Sequence, residues 1–349
     1  MDTFPAIRAL DSGQVMQQVL LALLPGIAAL VWYFGAGVLV QILLASAAAL
    51  GAEALALRLG KQPAMAGLRD GSALVTGVLL GIALPPLAPW WLAASGGAFA
   101  MLVAKHPFGG LGNNLFNPAM AAYAMLLVSF PDAFLHWPAP LPLLPEHLHW
   151  PGLSTAVQAI FTPGTLDIDA VTMATPLAAF RDNRGLLVAQ FQAAQSLFAA
   201  GQLAAVGWET VNLGFLLGGV YLAYRRVIDW RTPVAMLATL ALLAWLGNDG
   251  GSSASQGPPS LHLLSGATML GAFFIVTDPT TLAASRLGRL LCGALAGVLV
   301  FAIRAWGGYP DGVAFAVLLM NLAVPLIDRG TIPSPPGVPA RTWPRRRDS

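Results

Sequence analysis

Ten apolar runs divide this chain, and they constrain its fold more than any other feature. They fall near residues 19–36, 38–57, 72–87, 88–104 and 118–131, then near 211–224, 233–247, 261–277, 287–304 and 312–327. At about 1.5 Å per helical residue, runs of this size are long enough, or nearly so, to cross a hydrocarbon core. Backbone polar groups find no water there, so such segments must be helices that satisfy their own hydrogen bonds. Pro85, Pro86 and Pro89 separate the third run from the fourth, because proline cannot continue the helical ladder. Only 10% of the 349 residues are charged and 56% are hydrophobic, whereas soluble domains carry about a quarter charged residues. The expected fold class is an all-α, polytopic membrane protein of about ten transmembrane helices.

The positions of the basic residues test that count. Arg8, the group Arg58, Lys61 and Arg69, then Lys105, then Arg225, Arg226 and Arg231 fall on one side of a ten-span topology. Arg286, Arg289, Arg329 and the cluster from Arg341 to Arg347 fall on the same side. The positive-inside rule makes that side the cytoplasm, with both termini in it. The other face keeps Arg181, Arg184 and Arg304. The N-terminus shows no cleavage site of the signal-peptide kind, so the first run is read as a retained span. A bacterial inner membrane is the expected location, with the lipid bilayer as a partner. A net charge of +2 gives no reason to expect nucleic acid as another. The single cysteine, Cys292, excludes a disulfide framework and a thiolate-held iron–sulfur centre built from this chain alone.

The expected organisation is a first five-helix membrane half at 1–131, an external, periplasmic loop region at 132–210, a second five-helix half at 211–329, and a cytoplasmic tail at 330–349. The loop is too polar, and at 138–151 too rich in proline, to span, and structureless loops of that length are uncommon in compact proteins. Amphipathic stretches at 154–161 and 186–206 point to a small external subdomain. A weak internal repeat relates the halves. Asp70-Gly71-Ser72-Ala73 and Ser265-Gly266-Ala267-Thr268 each open an apolar run, and Gly109-Gly110 and Gly307-Gly308 follow about forty residues later. The first copy starts inside and the second outside, so the halves are expected to be inverted repeats, which often bind ligands where glycine and proline break helices. The plainer reading is that small residues simply pack membrane helices.

Few residues suggest chemistry by themselves. Asp169-Ala170-Val171-Thr172-Met173-Ala174-Thr175-Pro176-Leu177 reads as a polar, turn-prone stretch, with Thr175 biased away from helix by the following proline. Charged groups at membrane depth are costly and raise functional hypotheses. Asp278, before Pro279, and Glu53, inside the second run, are the ion-pathway candidates, although either could be a solvated interfacial charge. Glu209 beside Trp208 reads equally well as a helix-end charge. Glu146, His147 and His149 lack the further ligands a metal site needs.

Several longer motifs occur in order and carry a resemblance: Gly109-Gly110-Leu111-Gly112-Asn113-Asn114-Leu115-Phe116-Asn117-Pro118-Ala119-Met120, Gly207-Trp208-Glu209-Thr210-Val211-Asn212-Leu213, Gly271 to Pro279, and Asp311 to Val317. With them the chain resembles, from about Arg69 to Asp328, the RnfD and NqrB family, membrane subunits of the Rnf and Nqr ion-motive electron-transport complexes. Its short N-terminus favours the Rnf branch. The Asp169–Thr175 stretch looks like that family's flavinylation motif, in which a transferase joins FMN to the last threonine by a phosphoester. The resemblance thus implies covalent FMN on Thr175, with Asp169 and Thr172 in the motif. Ser265-Gly266-Ala267-Thr268 matches the motif's last four letters more literally. It has His262 where Asp169 stands, however, and Thr268 opens an apolar span.

The resemblance also implies a second, non-covalent flavin, riboflavin, near Asn114, Phe116 and Asn117. Two amides on one helical turn suit the alternating carbonyls and nitrogens of an isoalloxazine edge. An asparagine-capped helix start with Pro118 in its first turn explains the same residues. The implied function is a flavin-bearing subunit that relays electrons between the two faces of a ferredoxin/NAD electron-transport complex, coupled to movement of Na+ or H+. Nicotinamide and iron–sulfur chemistry would belong to other membrane and peripheral subunits, since this chain has neither a strand-borne G-x-G-x-x-G nor a cysteine cluster. The competing reading is a transporter or channel of inverted repeats without a redox centre.

Overall fold

A computed structural model describes residues 11–63, 67–110, 112–144, 152–164, 167, 169–182, 185–198, 204–309 and 311–332. Arg8, Glu146, His147, His149, Arg184 and the cluster from Arg341 to Arg347, all weighed above, lie outside the described residues. The first half contains α1 (Ser12–Phe34), α2 (Gly37–Leu59), α3 (Ser72–Ala83), α4 (Trp90–Leu102) and α5 (Pro118–Ser129). Three short helices follow, α6 (Leu153–Phe161), α7 (Pro176–Arg181) and α8 (Val188–Ala194). The second half contains α9 (Trp208–Tyr224), α10 (Arg231–Gly247), α11 (Pro259–Leu264), α12 (Thr268–Leu270), α13 (Arg286–Trp306) and α14 (Val313–Thr331). Helices α1, α2, α13 and α14 are long and apolar enough to cross a membrane, and α3, α5 and α10 are shorter apolar helices.

Helix α1 begins earlier than its apolar run because Asp11 and Gln14 form a reciprocal capping box. The eighth run, expected to be continuous over 261–277, is broken. Gly266 adopts a left-handed φ of 61°, and the ladder resumes as one α-turn followed by a π-helix over Gly271–Ile275. A break inside an apolar bundle needs partners for the freed backbone groups. Asn212 of α9 supplies two bonds, accepting from Met269 N at 3.1 Å and donating to Gly266 O at 3.1 Å. Asp311 supplies another, accepting from Ala267 N at 2.7 Å.

Helices pair through small residues, which let backbones approach where lipid offers no hydrophobic drive. On α3, Gly77 and Gly81 lie against the backbone of α2 at Ser46 and Ile42. On α9, Gly214 and Gly218 lie against Pro25 and Ala22 of α1. On α13, Gly293 and Gly297 lie against Thr232 and Met236 of α10. A side-chain carbon at Gly218 would collide with Ala22 O, so no larger residue fits without separating α1 from α9. Trp32, Trp245 and Trp306, at the ends of α1, α10 and α13, stay exposed, as aromatic residues at a membrane interface do.

Between α5 and α9 lies a ribbon of two antiparallel strands, β1 (Trp137–Pro138) and β2 (Thr172–Met173), the only strands among the described residues of a mostly helical fold. Trp137 meets Phe34 at 6.1 Å and Trp208 at 5.2 Å between ring centroids, tying the ribbon to the end of α1 and the start of α9. The expected amphipathic stretch at 154–161 is helix α6. Among its described residues, the one at 186–206 is helical over Val188–Ala194 and in a short turn at Ser196–Phe198.

Asp229, in the turn between α9 and α10, ties α10 to the start of α13. It accepts from Arg231 N at 3.0 Å and pairs with Arg231 at 3.2 Å and Arg289 at 2.9 Å. Burial raises its carboxyl pKa, but the Arg231 N–H and the two guanidinium groups outweigh burial and hold it below the ordinary carboxylate range. A depressed folded-state pKa adds stability above the unfolded pKa of about 3.9 that is lost as pH falls through the folded value. We therefore expect Asp229→Asn to destabilise by about 1 kcal/mol near neutrality, and the gap from wild type to close in strongly acidic buffer. Melting curves of the detergent-solubilised protein across pH check this; a pH-independent gap would contradict it.

Candidate functional site

Two polar clusters lie at opposite ends of the bundle, each organised around one buried cation. At the Lys105 end, Ser72 opens α3. Its backbone N–H donates to Asp70 at 2.7 Å, and its hydroxyl donates to the same carboxylate oxygen at 2.6 Å. Lys105, just beyond α4, is only 3% exposed. Its ammonium donates to Ser72 Oγ at 2.7 Å and to Glu53 Oε1 of α2 at 2.8 Å. The second Glu53 oxygen lies 3.1 Å from His106 Nε2, outside hydrogen-bonding geometry. Glu53 is therefore no solvated interfacial charge, being buried and paired. Lys105, read from sequence as a topology marker, is turned inward.

The same cluster faces a cavity of about 780 Å3, counted out to its mouth, between the two halves of the chain. Lys105, Ser72, Asn114, Asn117, Asp278 and Thr280 supply most of its polar lining, and Val19, Leu79, Leu222, Phe273 and Phe274 much of its apolar wall. The structure thus brings together Asn114, Asn117 and Asp278, with Glu53 joined through Lys105. Contrary to the sequence expectation, the two asparagines do not share a helical turn. Asn114 precedes α5 in an irregular stretch, because Pro118 at the first helical position and Asn117 at the cap set the helix start. Asn117 Oδ1 accepts from Met120 N at 3.1 Å and its amide donates to Asp278 Oδ2 at 3.1 Å. Asn114 donates to Phe116 O at 2.9 Å and Thr280 Oγ1 at 3.1 Å. Its carbonyl oxygen keeps no protein partner among the described residues. Phe116 is half-buried and enters the cluster through its backbone oxygen. Asp278 is further held by Thr280, whose N–H and hydroxyl donate to Oδ1 at 3.1 and 2.8 Å.

At the Arg304 end the arrangement is repeated with different residues. Arg304, near the end of α13, has a side chain 1% exposed. It donates to Thr268 Oγ1 at 2.9 Å, to Asp311 at 3.0 Å and to His262 O at 2.7 Å. Lys105 meets the hydroxyl that opens one apolar helix, and Arg304 meets the hydroxyl that opens the other. Thr268 is fully buried and donates to His262 O at 2.7 Å and Ser265 O at 3.0 Å.

Thr175 differs in every respect. It is half-buried, at the N-cap of α7, where its hydroxyl accepts from Ala178 N at 3.3 Å. Thr172 lies three residues upstream in β2, paired with Pro138. Asp169 begins a short helical turn, and its side chain lies outside what the structure describes. Glu209 sits in the first turn of α9, and Cys292 is buried in α13.

Sequence reasoning missed Ser72, Lys105, Asp311 and Thr280 as partners. A local signal exists for three of them. Asp70-Gly71-Ser72, Asp278-Pro279-Thr280 and Asp311-Gly312-Val313 each place an aspartate two residues before the backbone N–H it receives, the Asx-turn pattern.

A family model described as the NQR2, RnfD, RnfE family matches residues 4–337. A protein of Cellvibrio japonicus, named as the D component of an ion-translocating oxidoreductase complex, is 50% identical over 323 residues, covering 92% of this chain and 90% of that protein. A protein of the same name from Escherichia coli O6:H1 is 50% identical over 336 residues, covering 93% and 94%. A third, from Citrobacter koseri, is 50% identical over 338 residues with the same coverage.

Proposed function

Because this chain belongs to the NQR2, RnfD, RnfE family, we propose that it is the RnfD-type membrane flavoprotein of an ion-translocating oxidoreductase complex. The reading has the ten spans as two inverted five-helix repeats in a bacterial inner membrane. The Lys105 end and both termini face the cytoplasm, and the 132–210 region faces the periplasm. Two matched cation–hydroxyl pairs, Lys105 with Ser72 and Arg304 with Thr268, support the inverted repeat at the level of side chains.

Thr175 is the proposed site of covalent FMN. The observation that carries this is the contrast with Thr268. A transferase needs a reachable hydroxyl, and Thr175 is only half-buried, with a single weak cap contact. Thr268 is enclosed, with its hydroxyl bonded to three groups.

The cavity at the Lys105 end is the proposed riboflavin site. Apolar walls with few polar groups suit a planar heteroaromatic ring. Asn114 Oδ1 is the acceptor available to a ring N–H. Asn117 would act by fixing Asp278 and the start of α5. A bound flavin supplies one- and two-electron transfer; the protein positions it, shields it from water and sets the charge around it. Lys105 and Glu53 keep a neutral pair beside that cavity. Asp278 is the group placed to exchange a cation or proton with it, so Na+ or H+ would move near this carboxylate. One charge moved against 100 mV costs about 2.3 kcal/mol.

The test of the cytoplasmic site is flavin content. In the purified complex, Asn114→Ala with Asn117→Ala is expected to lower extractable riboflavin while leaving protein-bound FMN unchanged. Unchanged riboflavin would sink the assignment.

A further inference from the structure

We propose that the cavity at the Arg304 end receives the isoalloxazine ring of the Thr175-linked flavin, with Arg304 as the residue that sets its potential; this rests on the Thr175 reading. The cavity occupies about 790 Å3, counted out to its mouth. One wall is α7 itself, through Leu177, Phe180 and Arg181. The opposite wall carries His262 and Arg304, and residues 253–256 form part of the rim. Thr175 caps α7, and Arg181 lies six residues on, about 9 Å along the axis at 1.5 Å per residue. A ribityl phosphate tether on Thr175 is of comparable length and delivers the ring beside Phe180, whose face it can stack on.

The far wall is chemically unfinished. Arg304 Nε and His262 Nδ1 are both buried without a hydrogen-bond partner, although each residue is otherwise fully engaged. His262 Nε2 lies 2.8 Å from Gln256 O, a carbonyl that can only accept. The ring proton is therefore on Nε2, and Nδ1 is left as an acceptor. Arg304 Nε–H is a donor. A donor and an acceptor on one wall are the two kinds of group that the pyrimidine edge of a flavin needs, since it alternates ring carbonyls with the N3–H. Arg181 is committed elsewhere, to Gly308 O at 2.7 Å and Asp182 at 3.3 Å. Arg304, enclosed and partly balanced by Asp311, is the buried positive charge of this wall. A cation near the edge where charge accumulates on reduction favours the reduced flavin and raises its potential.

The experiment uses the assembled complex with flavinylated protein, and reads the flavin attributable to Thr175 as the difference from the Thr175→Ala complex. Arg304→Gln should shift the midpoint potential of that flavin to more negative values, and Arg304→Lys should retain most of the wild-type potential. Ser253→Trp, at an exposed rim position, should quench most of the native flavin emission while leaving the fluorescent band on a denaturing gel intact. An unchanged potential and unquenched emission with the band present would overturn the ring's placement alone. Absence of the band from the wild-type protein would overturn the Thr175 assignment itself. If Arg304→Gln fails to assemble, the Ser253→Trp emission decides.

Discussion

Thr175→Ala is expected to abolish the ultraviolet-fluorescent band that this protein gives on a denaturing gel after co-expression with a flavin transferase, whereas Thr268→Ala keeps it. The effect should be all-or-none, because a phosphoester needs a hydroxyl and no neighbour in the stretch substitutes for it. Thr172 is three residues away in a ladder with Pro138, and on the alternating faces of an extended chain it cannot take the place of a helix-cap residue. Thr175→Ser tests the chemistry more finely. It keeps the oxygen and the cap, so any loss of labelling measures how far the transferase depends on the methyl group. Loss of the cap bond in Thr175→Ala should cost about 1 kcal/mol, too little to confuse with failure to fold. Thr268→Ala should behave in the opposite way, with the band retained and stability reduced. It removes the hydroxyl that receives Arg304 and that satisfies His262 O and Ser265 O at the helix break. If Thr268→Ala loses the band and Thr175→Ala keeps it, the two sites have been exchanged.

The second large effect concerns the Glu53–Lys105 pair. Each side chain is 3% exposed, and the pair closes at 2.8 Å. Two charges taken out of water are tolerated only because each compensates the other, so removing one partner should cost about 3–5 kcal/mol. Glu53→Gln leaves the Lys105 ammonium with only Ser72, and Lys105→Met leaves a buried carboxylate near His106. The double variant Glu53→Gln, Lys105→Met removes both charges and should be less destabilised than the sum of the singles. Thermal unfolding of the detergent-solubilised complex supplies the cycle. Additive costs would show that the pair is uncoupled. Because Lys105 also lines the cavity with Asp278, the single variants should alter ion-dependent turnover as well as stability.

The extent to which this molecule is legible in its sequence differs by feature. Helix positions follow from the apolar runs, because only a helix can satisfy its backbone within lipid, and the runs bound α2, α10 and α13 to within a few residues. The break at Gly266 is not visible there. Hydropathy counts side chains, and residues 261–277 are apolar on both sides of the break; the partners that make it possible come from distant positions, Asn212 and Asp311. Charge is misread for a related reason. The positive-inside rule places a residue on one side of the membrane but does not say whether its side chain turns outward. Lys105 and Arg304 both turn inward, toward hydroxyls that open α3 and α12. The repeat of Asp70-Gly71-Ser72 against Ser265-Gly266-Ala267-Thr268 contains those hydroxyls, so the clusters are half-visible without their cations. Asn117 behaves as its capping signature with Pro118 requires, and the same amide reaches Asp278. The capping and contact readings of this residue therefore hold together, but the shared helical turn with Asn114 does not.

The measurement that bears most directly on the central claim is peptide mass spectrometry of the protein isolated from the native complex. The peptide containing Thr175 is predicted to carry the mass of FMN less one water, with fragmentation placing it on that threonine. An unmodified Thr175 peptide from an active complex, or FMN found on Thr172 or Thr268, would contradict it.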